Sequence, residues 1–285
     1  MLHVWPDTGG YPPVYYVSTD NGLWAVVPPY PAAVYNPIPA VTAMIAQMGV
    51  GMGASFQGGA VADKQRKLLA LITLPPGPTS SPPYTLWVFT IKAAHLVGRT
   101  TLAPVPQVLG VAFDPAANRV LVAYLDSVQL FTLSGLHYLA TIPTQGYQPA
   151  MLGAGYANRL YDSEPIAVDT SLGRAVVVSG AGGPGTAQIL DLKSGKVLRT
   201  LGVGVQPINV QVDTTLHRAY ILDSSCGVNI LDLRSERLVA NVTMPPGPLG
   251  LTVDEPTGKI FVTQGVSPGH VIMFPADTTL NQHSC

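Results

Sequence analysis

The segment RLYDSEP, residues 159–165, holds the densest group of chemically active side chains in the chain. It brings Arg159, Tyr161, Asp162 and Glu164 together in a protein in which only 11% of residues are charged. An arginine beside two carboxylates can bind a polar ligand through charge-assisted hydrogen bonds, or it can pair with its own carboxylates and fold the loop. We predict a ligand contact here, with the local ion pair as the alternative.

Amide side chains extend this candidate site, because each lies at or just before the start of a predicted strand. They are Gln57, Gln107, Gln206 and Asn209. Two carboxylates and scattered amides are a poor cage for a hard divalent cation, which prefers six to eight oxygen ligands. We therefore predict no metal and no cofactor, and we assign no catalytic residue. The alternative to ligand binding is that these polar groups only line a hydrated channel.

The elements that must position these residues repeat along the chain. A short apolar run ending in aspartate recurs six times, 41 to 56 residues apart, at Asp7, Asp63, Asp114, Asp169, Asp213 and Asp254. A cation follows four of these anchors five residues later, at Arg119, Arg174, Arg218 and Lys259. The second unit looks one residue shorter, with Arg66 and Lys67 in this role, and the first unit has no cation.

Runs rich in β-branched and aromatic residues follow each anchor and are bounded by Gly, Pro, Asp, Ser and Asn, which is typical of strands. Four such runs in 40 to 50 residues predict one blade of a propeller. The expected fold is all-β: a single six-bladed β-propeller domain over residues 1–285, with four-stranded antiparallel blades. Each anchor carboxylate should accept backbone N–H groups in the turn after it, and the following cation should pair with that carboxylate or lie over the turn.

The repeat resembles the YVTN-type β-propeller family. The resemblance is clearest in QPINVQVDTTLHRAYILDSSCGVNILDLRSERLVANV (206–242) and in EPIAVDTSLGRAVVV followed by QILDLKSGKVLRTL (164–201). It covers about two thirds of the chain well and implies secreted or cell-surface proteins. Related propellers include lactonases, lyases and subunits of amine-oxidising enzymes, so the resemblance leaves the activity open.

Bulk properties bound the function further. The net charge is −1 and no basic run is present, which argues against nucleic-acid binding. No window is apolar enough for a transmembrane helix, and the first residues lack the features of a signal peptide. The low charge favours an extracellular or cell-surface location, with a cytoplasmic one as the alternative. The expected role is binding of a small or polymeric ligand at the channel mouth. The alternatives are a lactonase- or lyase-like enzyme using the same face, and an assembly module, which a large apolar patch on the rim would favour.

Long insertions in a compact repeat are often functional. Segments 36–60 and 143–163 are the two long ones, and both precede the first strand of a predicted blade. We therefore expect both on one face, beside the channel. Cys226 and Cys285 are candidates for a disulfide that would pin the C-terminal tail to the fifth blade, with two free thiols as the alternative.

Overall fold

The computed structural model describes the following parts of the chain: 3–7, 14–19, 22–26, 56–63, 66–73, 84–90, 95–102, 108–144, 165–180, 184–223, 225, 227–245, 247–264 and 270–278. These residues form β-strands and turns, with one 3-10 turn at Glu255–Thr257 and no α-helix among them. Within these ranges no helix is long and apolar enough to cross a membrane.

Four of the sheets have four antiparallel strands in chain order. Sheet 2 holds β4 (Phe56–Asp63), β5 (Leu68–Thr73), β6 (Thr85–Thr90) and β7 (Leu96–Thr101). Sheet 3 holds β8 (Val108–Asp114), β9 (Arg119–Tyr124), β10 (Ser127–Thr132) and β11 (Tyr138–Pro143). Sheet 4 holds β12 (Ile166–Asp169), β13 (Arg174–Ser179), β14 (Thr186–Asp191) and β15 (Lys196–Gly202). Sheet 5 holds β16 (Pro207–Asp213), β17 (Arg218–Asp223), β18 (Gly227–Asp232) and β19 (Arg237–Thr243).

Two further sheets have three described strands each. Sheet 1 holds β1 (His3–Asp7), β2 (Val14–Thr19) and β3 (Gly22–Val26). Sheet 6 holds β20 (Pro248–Asp254), β21 (Lys259–Gln264) and β22 (Val271–Pro275). The all-β prediction and the repeated antiparallel sheets are therefore confirmed.

Every predicted anchor aspartate is the last residue of the first strand of its sheet. In sheet 3, for example, Asp114 lies opposite Arg119. The prediction of a shorter second unit is wrong, because Asp63 lies opposite Leu68 at the same five-residue spacing. Leu68 therefore takes the cation's position in sheet 2, and Arg66 lies inside the turn.

Burial explains why the second and third strands read as continuous apolar runs. Sheets 3, 4 and 5 are each buried on both faces against their neighbours, so their middle strands need no polar side. Separate apolar clusters fill the spaces between sheets 2 and 3, 3 and 4, 4 and 5, and 5 and 6. All six residues of β5 are buried, whereas β7 alternates between partly buried and exposed residues.

The first strands of neighbouring sheets pack side by side, in the series β4, β8, β12, β16 and β20. This is the arrangement of innermost strands around a propeller axis. Glycine in one sheet packs directly on proline of the next. A Cβ added at Gly110 would lie only 2.7 Å from Cδ of Pro165, the residue that precedes β12. A Cβ at Gly180 or Gly185 would overlap Pro207 at the start of β16 in the same way.

Candidate functional site

The anchor turns lie together at one end of the sheets, which we call the base face. The predicted capping by the anchor carboxylates is confirmed there. Oδ1 of Asp213 accepts the N–H groups of Thr215 and Leu216 at 2.9 and 2.8 Å, and Oδ1 of Asp169 caps its own turn in the same way. Removing such a cap leaves turn N–H groups without a partner, so the anchors stabilise the fold.

A left-handed residue closes each of these turns, four positions after the anchor. These residues are Lys67, Asn118, Gly173, His217 and Gly258, with φ between 54° and 64°. Glycine and asparagine tolerate this conformation readily. The carbonyl of the same residue accepts the N–H that follows the third strand, as in Leu192 N to Gly173 O at 3.0 Å and Leu233 N to His217 O at 2.8 Å.

The cations after the anchors also form hydrogen bonds to the next sheet, which the sequence analysis did not predict. Arg119 pairs with its own Asp114 at 2.6 Å, as expected, but it also donates to Leu192 O of the next sheet at 3.0 Å. Arg174 donates to Leu233 O and lies 3.0 Å from Glu236 Oε1, both in sheet 5. The repeated arginine is therefore mainly a link from one sheet to the next.

The same pattern holds at the two ends of this series. Arg218 donates to the carbonyls of Ala276 and Thr278 in sheet 6, at 3.1 and 3.2 Å. In sheet 2, Arg66 donates to Asn118 Oδ1 of sheet 3 at 2.8 Å, although it comes from inside the turn.

Polar side chains of the turns add further links between neighbouring sheets. Thr170 Oγ1 donates to Asp114 Oδ1 at 2.9 Å, and Thr214 binds both carboxylate oxygens of Glu255 at 3.1 and 3.0 Å. The base face from sheet 2 to sheet 6 is thus a belt of hydrogen bonds between sheets. Its chemistry is that of a scaffold.

One group on the base face contains the residue types of a hydrolase triad. His217 Nδ1 lies 2.7 Å from Oδ2 of the fully buried Asp169 and 3.3 Å from Ser171 Oγ. A triad requires the serine on the other ring nitrogen, so that imidazole can take its proton while the carboxylate orients the ring. Here Ser171 donates instead to Asp169 Oδ1 at 2.6 Å. The group therefore joins sheet 4 to sheet 5 and is not arranged for nucleophilic attack.

The opposite end of the sheets, where the first strands begin, is called the mouth face. Each second strand of sheets 2 to 6 ends here on a polar residue, ten positions after the anchor. These residues are Thr73, Tyr124, Ser179, Asp223 and Gln264, and all but Ser179 are buried. The sequence analysis missed this set, and the constant offset from the anchors is the signal that could have found it.

Two of these residues bind the third strand of their own sheet. Trp87 Nε1 donates to Thr73 Oγ1 at 2.9 Å, and the hydroxyls of Ser179 and Thr186 share a hydrogen bond of 2.8 Å. Gln264 instead reaches the loop that leads into β20, where its Nε2 donates to Pro245 O at 3.0 Å. The position therefore holds together the strand ends and loops that form the mouth face.

Asp223 has the most contacts of the five. Its Oδ2 accepts the N–H groups of Val205 and Gln206, at 2.9 and 2.6 Å. Its Oδ1 accepts Ser225 N at 2.9 Å and Ser225 Oγ at 2.5 Å. This fully buried carboxylate thus joins the loop before β16 to the loop after β17, and its charge is met by four donors.

The loop over residues 203–206, which we call the lead-in loop, is held in one shape. Gly204 has φ of 94°, and a Cβ there would lie 2.5 Å from Asp223 Oδ2, so only glycine fits. Asn229 Nδ2, from β18, donates to Val203 O at 3.1 Å. The loop presents Val205, which is 55% exposed, on the mouth face.

Tyr124 differs from its four counterparts, because its buried hydroxyl has no hydrogen-bond partner among the described residues. Burial raises the pKa of the Tyr124 phenol far above its usual range, so the group stays protonated and can donate. Its ring packs in the apolar cluster between sheets 2 and 3.

The structure locates three of the predicted ligand-contact residues. Gln57 lies in β4 near its start. Gln206 is half-buried, and its backbone N–H binds Asp223. Asn209 is buried in β16, with 3% of its surface exposed. The remaining members lie outside the described residues and stay predictions: Gln107, Arg159, Tyr161, Asp162 and Glu164.

Other predictions also fall outside the described ranges. Most of segments 36–60 and 143–163 does, and so do Cys226 and Cys285. The strands that the two segments lead into, β4 and β12, both begin at the mouth face. Among the described side chains, no three of His, Cys, Asp or Glu are grouped as metal ligands.

Comparisons with known proteins bear on the fold alone. No protein-family model matches the chain, and no curated protein matches its sequence. A solved structure of Kuenenia stuttgartiensis hydrazine synthase is similar over 75% of this chain and 64% of that chain, with a TM-score of 0.53 and 14% identity. The computationally designed Ika8 protein is similar over 94% of this chain and 69% of that one, with a TM-score of 0.59 and 11% identity. Together with the repeated sheets, these similarities show a β-propeller-like fold.

Proposed function

We propose that the chain is an exported, six-bladed propeller of YVTN-like type that binds a small or polymeric ligand at its mouth face without catalysis. The observation that supports this most directly is the lead-in loop, which Asp223 holds through the N–H groups of Val205 and Gln206 while the Val205 side chain is exposed. A loop fixed before binding loses little entropy when a ligand arrives. The cross-linked base face supplies the rigid support that such a site needs.

The expected ring has six blades, closed by sheet 1. Val271 and Met273 of sheet 6 are 64% and 53% exposed, whereas the residues in the same register of sheet 5, Val228 and Ile230, are fully buried. This face of sheet 6 is the apolar surface on which sheet 1 would close the ring. Met273→Lys should then lower the melting temperature by several degrees, while Leu238→Lys on an outermost strand should not. Equal melting temperatures for the two variants would argue against closure at this face.

Export rests on composition. Lys and Arg number 15 and Asp and Glu number 16 in 285 residues, a low charge content for an average soluble domain. Fractionation of cells that express the full-length gene tests this point, and recovery of the protein only from the cytoplasm would contradict it.

Ligand binding is tested by thermal shift with a panel of neutral oligosaccharides, dicarboxylates and γ-lactones. A ligand that binds only the folded state raises the melting temperature, and the rise grows with ligand concentration above the dissociation constant. We expect the shift to disappear in the double variant Val205→Asp/Gln206→Ala and in Arg159→Ala. It should persist in the base-face variant Thr170→Val.

Two results would contradict the proposal. One is a ligand whose effect depends on Thr170 but not on the mouth-face residues. The other is turnover of a γ-lactone by the purified protein, which would favour the enzymatic alternative.

A further inference from the structure

The outermost strands carry most of the exposed apolar side chains among the described residues. Tyr138 and Leu139 of β11 are 58% and 48% exposed, and Leu198 of β15 is 38% exposed. The strands β11 and β15 are neighbours on the rim and contact each other. An apolar group of this kind on a rim is a feature of interaction surfaces.

The β10–β11 hairpin differs from the other outer hairpins in its charge. Residues 127–144 contain no Asp, Glu, Lys or Arg, whereas the hairpins of sheets 2, 4 and 5 each contain at least one cation, such as Arg99, Lys196 and Arg237. Proteins commonly place charges, especially lysine, on outer strands to keep them apart from other chains. This protection is missing from β11.

A β-bulge is common to the four outermost strands and re-aims their side chains. The bulged residues are Val97, Leu139, Leu198 and Val239. A bulge disturbs the regular ladder and discourages edge-to-edge strand pairing. In β11 it presents Leu139 outward, so contact at this rim should be made by side chains more than by backbone hydrogen bonds.

Tyr138 is fixed in place before any partner arrives. Its ring packs edge-on against Phe131, with 6.1 Å between centroids and 75° between planes. Its hydroxyl shares a hydrogen bond of 2.9 Å with Thr141 Oγ1. An exposed, ordered tyrosine adds contact area at little cost in side-chain entropy, as in many interfaces.

Charge decides which partner suits this surface. Two copies that meet around a two-fold axis bring identical residues close to one another, and like charges placed opposite each other are destabilising. Such a contact at β15 or β19 would bring Arg199 near Arg199 or Arg237 near Arg237. Among the outer hairpins of sheets 2 to 5, only β10–β11 avoids this repulsion. We propose that two copies of this chain associate through their uncharged β10–β11 hairpins, with Tyr138 and Leu139 at the centre. This inference is independent of the ligand-binding role.

The size of the surface limits the strength of this dimer. A strand of six residues is about 20 Å long, so the buried area falls toward the lower end of specific interfaces, where complexes are weak. The equilibrium should therefore depend on concentration.

Sedimentation equilibrium of the full chain, from micromolar to millimolar concentration, tests the proposal. The weight-average mass should rise from 29.9 kDa toward twice that value. Tyr138→Lys should raise the dissociation constant at least about tenfold, because two lysines meet across the axis. Leu139→Lys, a second variant at the same rim, should act in the same direction. Leu238→Lys is the matched control, because Leu238 holds the register position in sheet 5 that Tyr138 holds in sheet 3.

Thermal melting shows that each variant is folded before its mass is measured. A mass that stays at 29.9 kDa over the whole range would overturn the proposal. So would an equal shift for Leu238→Lys and Tyr138→Lys.

Discussion

The base face and the mouth face of these sheets are held together in different ways. At the base, hydrogen bonds run from sheet to sheet, as from Arg119 to Leu192 and from His217 to Asp169. At the mouth, the polar residues bind mainly their own sheet or its lead-in loop, as Asp223 does. Neighbouring sheets meet there by packing, as Gly110 does on Pro165.

This difference separates polar groups that link neighbouring sheets from polar groups that bind within one sheet and its loops. Residues that repeat in each unit and bind the next unit hold the array together, and their substitution should change stability alone. Residues that vary between units at one position make different contacts in each sheet: Ser179 binds the third strand, Asp223 binds two loops, and Tyr124 packs in an apolar cluster. A mouth built from varied residues on a uniform base can acquire a site without loss of the fold.

Asp223→Ala should give the largest effect. It leaves two partly buried loop N–H groups and Ser225 without their acceptor, and an unsatisfied buried group costs about 1–3 kcal/mol. We expect a loss of about 3 kcal/mol or more in the free energy of unfolding, measured by urea denaturation.

Ser179→Ala is the matched control for this substitution, because Ser179 holds the same position in sheet 4 and shares one hydroxyl hydrogen bond. Ser179→Ala should lower the free energy of unfolding by only about 1 kcal/mol. Equal losses for the two variants would show that Asp223 does not hold the lead-in loop.

Asp169→Ala should come next and should exceed Asp213→Ala. Both remove a turn cap, which costs about 0.5–2 kcal/mol. Asp169 also binds His217 of the next sheet. Asp169→Ala should therefore lower the free energy of unfolding by about 1–2 kcal/mol more than Asp213→Ala does.

A double-mutant cycle with His217→Asn isolates the contact between the sheets, since asparagine tolerates the left-handed backbone at this position. The coupling energy comes from urea denaturation of the four proteins. A coupling near zero would mean that the base face is not linked through this pair.

Gly110→Ala should cost about 1–2 kcal/mol, because the added methyl would overlap Pro165 and overpacking strains both strands. Gly202→Ala is the control, since a Cβ there meets no atom within 4 Å. Differential scanning calorimetry of the two variants gives the comparison. If Gly110→Ala melts no lower than Gly202→Ala, packing does not join the sheets at the mouth.

The smallest expected effect is a pH dependence at the exposed end of sheet 4. The backbone N–H of Lys193 and the hydroxyl of Ser194 bind the Asp191 carboxylate and lower its pKa. Because the pKa is lower in the folded state, this stabilisation is complete above the unfolded pKa of about 3.9 and is lost as the pH falls through the folded value.

The Asp191→Asn variant, which does not titrate, checks this sign. The difference in unfolding free energy between wild type and variant should shrink between pH 5 and pH 3. A difference that stays constant over this range would show that folding does not lower the pKa of Asp191.

The sequence analysis was most successful where a residue acts on its own neighbours. The anchor aspartates cap a turn two or three residues away, so the motif itself contains both partners. The site was harder to predict, because Asn209 appears polar and available in the sequence but is buried in β16. The sequence analysis did not single out Asp223, because two of its partners lie 17 and 18 positions earlier.

The sequence by itself determined the strands, their order and the turns, because apolar runs, left-handed residues and side-chain caps act over a few positions. Only the tertiary structure decided which partner each repeated side chain finds. Arg174 and its partner Leu233 are 59 positions apart in the sequence. Asp169 and its partner His217 are 48 positions apart. Such pairs form only when neighbouring sheets stack at a particular angle, and no local pattern encodes that angle. The same stacking buries Asp223 and leaves the uncharged rim of β11 exposed.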